Sequence, residues 1–263
     1  MCIRDSYAAF SGHLQVVKFF ISELNCIPNT PGFLGRTPLH VAAEEGVIDI
    51  VKYLIEEVKC EPSCCSGEDK VTPLHMAAQK GHLDVVKYLT QEKHCDPLKR
   101  SADGNTPFQV ATLCGRFKVA KFFISELNCD PNTPDQRGRT LLHCAAQVGK
   151  LDVTKYLIEE LKCNPSPLDE REVTPLHLAA IYGQLEVVKY LTRDKLCNPL
   201  CRNKSRDTPI HHAACYGHLE VIKYFIEVLD CRPNIKGLLN STPLQQALSK
   251  DHTHVVQYLM SVA

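Results

Sequence analysis

One pattern of eighteen residues, TPLHMAAQKGHLDVVKYL at Thr72–Leu89, returns along this chain at an almost constant spacing. Seven copies align on their first residue, which falls at Thr37, Thr72, Thr106, Thr140, Thr174, Thr208 and Thr242. The step between successive threonines is 35 residues once and 34 residues five times. A fixed period of this size predicts a stack of similar structural units rather than a fold around one centre.

Each copy predicts two short helices joined by a tight turn. The threonine suits the N-cap of the first helix, and Pro73 suits the first helical position, where its missing N–H costs nothing. Gly81 can adopt the left-handed conformation that ends this helix. Leu83, Val86 and Leu89 then form the apolar stripe of a second helix. Because helices of two to three turns are not stable alone in water, the copies must stack on one another.

This pattern resembles the ankyrin repeat, whose hallmark is TPLH followed by two alanines, a glycine and an apolar second helix. The resemblance covers nearly the whole chain. It implies an all-α solenoid of right-angled, L-shaped units, each a helix, a turn, a second helix and a protruding loop. We expect residues 1–6 to be a foreign, non-repeat leader and residues 7–263 to be one ankyrin-repeat domain. Its partial first repeat is followed by seven repeats that start near residues 35, 70, 104, 138, 172, 206 and 240.

The ends and several internal positions depart from the family pattern. Neither end reads as the polar capping unit that a solenoid needs, so we expect a fragment of a longer protein. Gln109 and Gln245 replace the TPLH histidine, Leu141 replaces its proline, and Asp251 stands in place of the turn glycine. We expect the last repeat to fray first.

Just after each second helix, at the position before the repeated cysteine, ankyrin repeats usually carry a glycine, and this chain carries other residues there. We call this the junction position. Asn25 and Asn128 suit the left-handed conformation needed there. The residues less suited to it are Lys59, His94, Lys162, Leu196 and Asp230. We therefore leave the geometry of the hairpin loop open at this point.

Composition narrows the compartment and the partner. The chain has 30 basic and 30 acidic residues, so no field attracts nucleic acid. We also expect no membrane span and no secretory signal, which favours the cytoplasm, with the nucleus as an alternative.

Seven of the 14 cysteines occupy equivalent places: Cys26, Cys60, Cys95, Cys129, Cys163, Cys197 and Cys231. Stacked helices lie about 8–10 Å apart, too far for a disulfide, so these read as small buried side chains in a reducing cytosol.

Histidines and loop cysteines are the other candidates for chemistry. The resemblance implies that the TPLH histidines hydrogen-bond the threonine and the neighbouring loop backbone; they are His40, His75, His143, His177 and His211. We expect His13, His82 and His218 to face solvent or to start helices, and the clusters His211–His212 and His252–His254 not to bind a ligand.

Two sets of loop cysteines have spacing that could hold zinc: Cys60 with Cys64 and Cys65, and Cys197 with Cys201. Free, partly exposed thiols are nevertheless the favoured interpretation. Phosphate-loop, dinucleotide and zinc-protease motifs are missing, so we predict no catalytic residue, cofactor or metal.

The candidate contact surface combines the hairpin tips with the ends of the first helices, the two zones that ankyrin repeats use. The candidate residues are Phe33, Leu34, Arg36, Asp69, Lys70, Asp103, Asn105, Arg137, Arg139, Arg171, Glu172, Tyr182, Arg206 and Tyr216. These zones vary between copies, either because solvent-facing residues drift or because they form a mixed binding surface. Under the second hypothesis, Leu113 and Ile181 add apolar anchors, and Arg137 and Tyr182 lie on one face.

The resulting functional prediction is a non-catalytic, monomeric scaffold or adaptor that binds a partner protein on a concave surface. The alternative is the recognition segment of a larger signalling or ubiquitin-ligase-type protein. An enzyme in its own right is the least favoured class.

Overall fold

The computed structural model describes residues 13–23, 27, 31–193 and 196–262, without the side chain of Phe33. The described residues contain fifteen α-helices and no strand, as the all-α prediction required. The chain divides into two compact units with the boundary between Asp130 and Pro131, and each unit is a stack of helical pairs.

The first unit contains seven of these helices. They are α1 Leu14–Ser22, α2 Pro38–Glu45, α3 Ile48–Glu56, α4 Pro73–Lys80, α5 Leu83–Lys87, α6 Pro107–Leu113 and α7 Phe117–Ser125. A π turn at Tyr88–Glu92 continues α5. The first helices of successive repeats pack on one another, α2 on α4 and α4 on α6, and so do the second helices from α1 through α7.

The second unit repeats this arrangement with eight helices. They are α8 Leu141–Val148, α9 Leu151–Lys155, α10 Pro175–Ile181, α11 Leu185–Thr192, α12 Pro209–Cys215, α13 Leu219–Lys223, α14 Pro243–Leu248 and α15 Thr253–Val262. π turns at Tyr156–Glu160 and Tyr224–Val228 continue α9 and α13. Here α8, α10, α12 and α14 pack in sequence, and α9, α11, α13 and α15 form the second row.

The core is a row of interfaces between neighbouring repeats. The paired alanines of the first helices, such as Ala77 with Ala78 and Ala179 with Ala180, are fully buried. Because alanine is small, it lets the next helix approach closely, while larger side chains such as Leu191 and Phe225 fill the space beside the second helices.

The predicted turn glycine ends the first helix, and its lack of a side chain leaves room for the residue that starts a second helix in the next repeat. Gly46 ends α2 with φ 74°, and a Cβ atom there would meet the ring of His82. His82 begins α5, but its Nε2 also lies 2.9 Å from the Glu44 carbonyl at the end of α2. His218 meets the Ile181 carbonyl in the same way, at 2.8 Å.

Of the two alternatives expected for His82 and His218, starting a helix is the one observed, since they are the N-cap residues of α5 and α13. Both rings are half-buried, because the last carbonyls of a helix need donors from outside it. Arg116, Gln184 and His252 donate to the preceding first helix from the same position. His13, by contrast, is exposed before α1, as predicted.

The junction position is left-handed even where its residue is unsuited to that conformation. Lys59, His94, Lys162 and Asp230 have φ between 53° and 60°, like Asn128 at 52°. The N–H of the next cysteine donates to a carbonyl six residues earlier, for example from Cys60 to Leu54 at 2.9 Å, so this bond closes the end of the second helix around the left-handed residue. Leu196 is not among the described residues with positive φ, and Asn25 lies outside the described residues.

Candidate functional site

The TPLH histidines are part of the framework. In His40 the ring Nδ1 lies 3.2 Å from the Thr37 N–H, and Nε2 lies 3.0 Å from the Val71 carbonyl. An N–H can only donate and a carbonyl can only accept, so Nδ1 is bare and Nε2 carries the proton. The same two contacts recur at His75, His143, His177 and His211, which confirms the structural role.

This bonding needs a neutral ring, and burial enforces it. Burial lowers the pKa of His40 and that of His177 from 6.5 to about 4. It also lowers the pKa of His75, His143 and His211. Both nitrogens of each ring are thus engaged in hydrogen bonds within the repeats.

Where glutamine replaces the TPLH histidine, it makes only one of the two hydrogen bonds that the histidine makes. The Thr106 N–H donates to Gln109 Oε1 at 3.0 Å, and Thr242 donates to Gln245 at 2.9 Å. The Nε2 of Gln109 is buried and has no hydrogen-bond partner within the described part of the chain.

The repeated cysteines are buried, as predicted. Six of the seven, from Cys60 to Cys231, are buried and form no disulfide, and Cys26 lies outside the described residues. Two of the zinc-spaced loop cysteines, Cys64 and Cys201, are half-buried against the threonine–histidine pair of their own repeat. Burial raises the pKa of each to about 11, and only Cys65 of that group is exposed. Within the described ranges, no three metal-ligating side chains form a cluster.

The second unit contains a groove of about 450 Å³ between hairpin tips and first-helix ends, which we call the Tyr182 groove. Its lining residues come from three successive repeats: Arg139, Asp169, Arg171, Val173, Leu178, Ile181, Tyr182, Asn203, Lys204, Ser205, Asp207, His212 and Tyr216. Tyr182 is 49% exposed and Tyr216 is 55% exposed. Four predicted contact residues therefore meet here: Arg139, Arg171, Tyr182 and Tyr216.

A smaller cavity of about 230 Å³ adjoins this groove. Arg137 and Glu170 line it together with Arg139, Asp169 and Arg171, which both cavities share. Arg137 therefore lies beside the groove that holds Tyr182.

Short acidic or amide side chains hold the hairpin tips in shape. Asp169 Oδ1 accepts the backbone N–H groups of Arg171 and Val173, both at 2.8 Å. Asn203 Oδ1 accepts those of Ser205 and Asp207, both at 3.0 Å. These turns fix the backbone from which Arg171 and Lys204 extend.

Asn203 also links the tip to the helix behind it. Because its oxygen accepts two N–H groups, its amide nitrogen is the donor to His212 Nε2, 3.0 Å away. Burial lowers the pKa of His212, which keeps this nitrogen available as an acceptor. His212 thus belongs to the groove, although we predicted no ligand-binding role for the pair His211–His212.

The remaining candidates lie elsewhere. In the first unit, Leu34, Asp69, Lys70 and Asp103 are exposed tip residues, and Arg36 pairs with Glu44 at 3.0 Å. The carbonyl of half-buried Asn105 accepts from His75, and the side chain of Phe33 lies outside the described residues. In the second unit, Glu172 and Arg206 are exposed but do not line the groove, whereas half-buried Ile181 does. Leu113, the other predicted anchor, is half-buried in the first unit.

Several lining residues were missing from the candidate set. Asp169, Asn203 and Lys204 are among them, and the available signal was positional, since an Asp or Asn stands five residues before Thr140, Thr174 and Thr208. Such a spacing is typical of a side chain that bonds its own turn.

The family model for ankyrin repeats (3 copies) matches residues 6–101, 58–135, 126–203 and 194–263, so the chain belongs to the ankyrin-repeat family. No curated protein gives a significant match to it. Ankyrin repeats are generally protein–protein interaction modules, and the family is typically non-enzymatic. Among the described residues, none of the helices is both long and apolar enough to span a membrane.

Proposed function

We propose that this chain is a scaffold or adaptor that binds a partner protein on the concave ankyrin surface, with the Tyr182 groove as the centre of contact. The supporting observation is the pair of half-exposed tyrosines that line one groove at the ends of two packed helices. Aromatic side chains commonly carry a large share of interface energy.

The hydroxyl groups of Tyr182 and Tyr216 differ in their hydrogen bonding from the hydroxyl groups of tyrosines on the second helices. There, Tyr88, Tyr190 and Tyr258 each donate a hydrogen bond to a glutamate of the preceding repeat, at 2.8 to 2.9 Å. The hydroxyls of Tyr182 and Tyr216 have no such partner among the described residues. They can therefore bond a partner protein without first breaking an internal contact.

Rigidity favours the same proposal. Both tyrosines follow directly on helices whose N-termini are capped and whose alanines are buried. A surface that is already ordered loses little conformational entropy on association.

The test compares quantitative affinity purification by the wild type and by Tyr182→Ala/Tyr216→Ala. A partner that contacts both rings should bind at least about thirtyfold more weakly, corresponding to about 2 kcal/mol for hot-spot residues. Phe19→Ala/Val228→Ala removes two other exposed apolar side chains as a matched control. If every captured protein is retained equally by both double variants, the groove is not the binding site.

Two further lines support the wider assignment. The family matches run through the Asp130–Pro131 boundary, which supports one repeat domain over residues 7–263. Six buried cysteines that form no disulfide fit a reducing compartment such as the cytoplasm.

A further inference from the structure

The Tyr182 groove has two chemically different sides. Leu178, Ile181, Tyr182 and Tyr216 form an apolar and aromatic side at the first helices. The hairpin tips contribute the charged side, where the arrangement of charges decides what the groove can attract.

The acidic groups of the groove are engaged internally. Asp169 is buried, accepts two backbone N–H groups through Oδ1 and faces Arg139 Nε at 3.5 Å through Oδ2. Asp207 is also buried, and its Oδ1 accepts from the Leu238 N–H at 3.0 Å and from Gln246 Nε2 at 3.1 Å. Neither carboxylate is presented to a ligand.

The exposed charges of the groove are both positive. Arg171 and Lys204 stand on adjacent tips, tied by a 3.0 Å bond from the Lys204 N–H to the Arg171 carbonyl. No carboxylate of the described residues forms an ion pair with either side chain. Glu170 lines the smaller adjoining cavity, together with Arg137, but not the groove itself.

We propose that the groove takes an acidic segment of the partner protein, in which an aspartate or glutamate lies next to an apolar or aromatic side chain. The carboxylate pairs with Arg171 and Lys204, and the apolar side chain packs between Tyr182 and Tyr216. This inference rests on the proposed function and adds the chemistry of the partner. Opposite charges at an exposed rim mainly favour encounter and select against basic partners.

The experiment selects peptides from a library of random dodecapeptides displayed on phage, with the purified full chain as bait. Synthetic versions of the enriched peptides are then measured by fluorescence anisotropy against three double variants. Arg171→Glu/Lys204→Glu reverses the two rim charges, and Tyr182→Ala/Tyr216→Ala removes the aromatic side. Lys118→Glu/Arg232→Glu reverses two exposed cations outside the groove lining as a matched control.

The expected result is an enriched sequence that combines acidic and apolar residues. The affinity of the full chain for this peptide falls about tenfold or more in Arg171→Glu/Lys204→Glu. It also falls in Tyr182→Ala/Tyr216→Ala and stays within about twofold of the wild type in the control variant. Higher ionic strength weakens it further, because exposed charges are screened. The milder Arg171→Gln/Lys204→Gln variant shows a smaller loss in the same direction, and circular dichroism confirms that each variant is folded.

Two other results lead to different conclusions. Enriched peptides that need the tyrosines but are neutral or basic, or are indifferent to charge reversal, overturn the acidic segment and leave the proposed function standing. If nothing is enriched, or if binding survives both groove variants, the acidic segment and the proposed function of the groove both fail.

Discussion

Replacing His40 by glutamine should make the stability of the chain less dependent on pH. The chain itself shows what the substitution does, because Gln109 keeps the bond to its threonine N–H while its buried Nε2 has no partner within the described residues. In His40→Gln the Val71 carbonyl would lose the ring donor and keep its bond from the Ser66 N–H at 2.7 Å. The lost bond and the unpaired amide together cost about 2 kcal/mol of unfolding free energy at neutral pH.

Acid should remove this advantage of histidine. Burial lowers the pKa of His40 from 6.5 to about 4, so between these values the unfolded chain binds a proton that the folded chain does not. The contribution of His40 is therefore complete above pH 6.5 and is lost as the pH falls towards 4, by about 3 kcal/mol over the full window. Wild type and variant should then be equally stable near about pH 5, and the variant more stable below it.

The assay is urea unfolding followed by circular dichroism at several pH values, for wild type, His40→Gln and His13→Gln. The last variant removes an exposed imidazole and should change the free energy of unfolding by less than about 0.5 kcal/mol at every pH. A constant difference between wild type and His40→Gln from neutral pH to pH 4.5 would refute the reasoning. So would a ring titration by NMR with its midpoint near the ordinary value.

Three other predictions follow from the framework. Gly46→Ala should cost about 2 kcal/mol or more of unfolding free energy in urea denaturation, since φ is 74° and the new methyl group meets His82, whereas Gly67→Ala meets nothing closer than 3.5 Å and should be nearly neutral. In mass-spectrometric thiol labelling of the native chain, exposed Cys65 should react well before buried Cys129, whose pKa burial raises to about 11; equal rates would contradict the described packing. Hydrogen exchange should be faster in the last repeat than in the central repeats, because Gln245 is exposed and lacks the histidine bridge; slower exchange there would reverse this prediction.

Much of the fold could be predicted because its determinants lie within a few residues of one another. In the copy at Thr72, the threonine cap, the proline after it and the glycine at φ 91° all act within one helix and its two ends. The left-handed conformation of Lys59 was harder to anticipate, since its propensity is poor and the bond that imposes it joins Cys60 to Leu54.

The candidate site could be predicted only in part. Tip and helix-end positions are readable from the repeat, and this brought Arg171, Tyr182 and Tyr216 into the candidate set. His212 and Asn203 were not in that set, because their contact depends on a turn that is hydrogen-bonded to itself and packed against the first helix of the next repeat.

The sequence by itself determined the repeat, its helices, their caps and the family, because each of these depends on spacing along one stretch of chain. Only the tertiary structure decided which partners meet across repeats, such as His82 and the Glu44 carbonyl, 38 residues apart. It also decided that Asp169 and Asp207 are engaged internally while Arg171 and Lys204 remain exposed. The physical reason is that hydrogen bonds and ion pairs depend on distances of a few ångströms, which are set by how one repeat packs on the next.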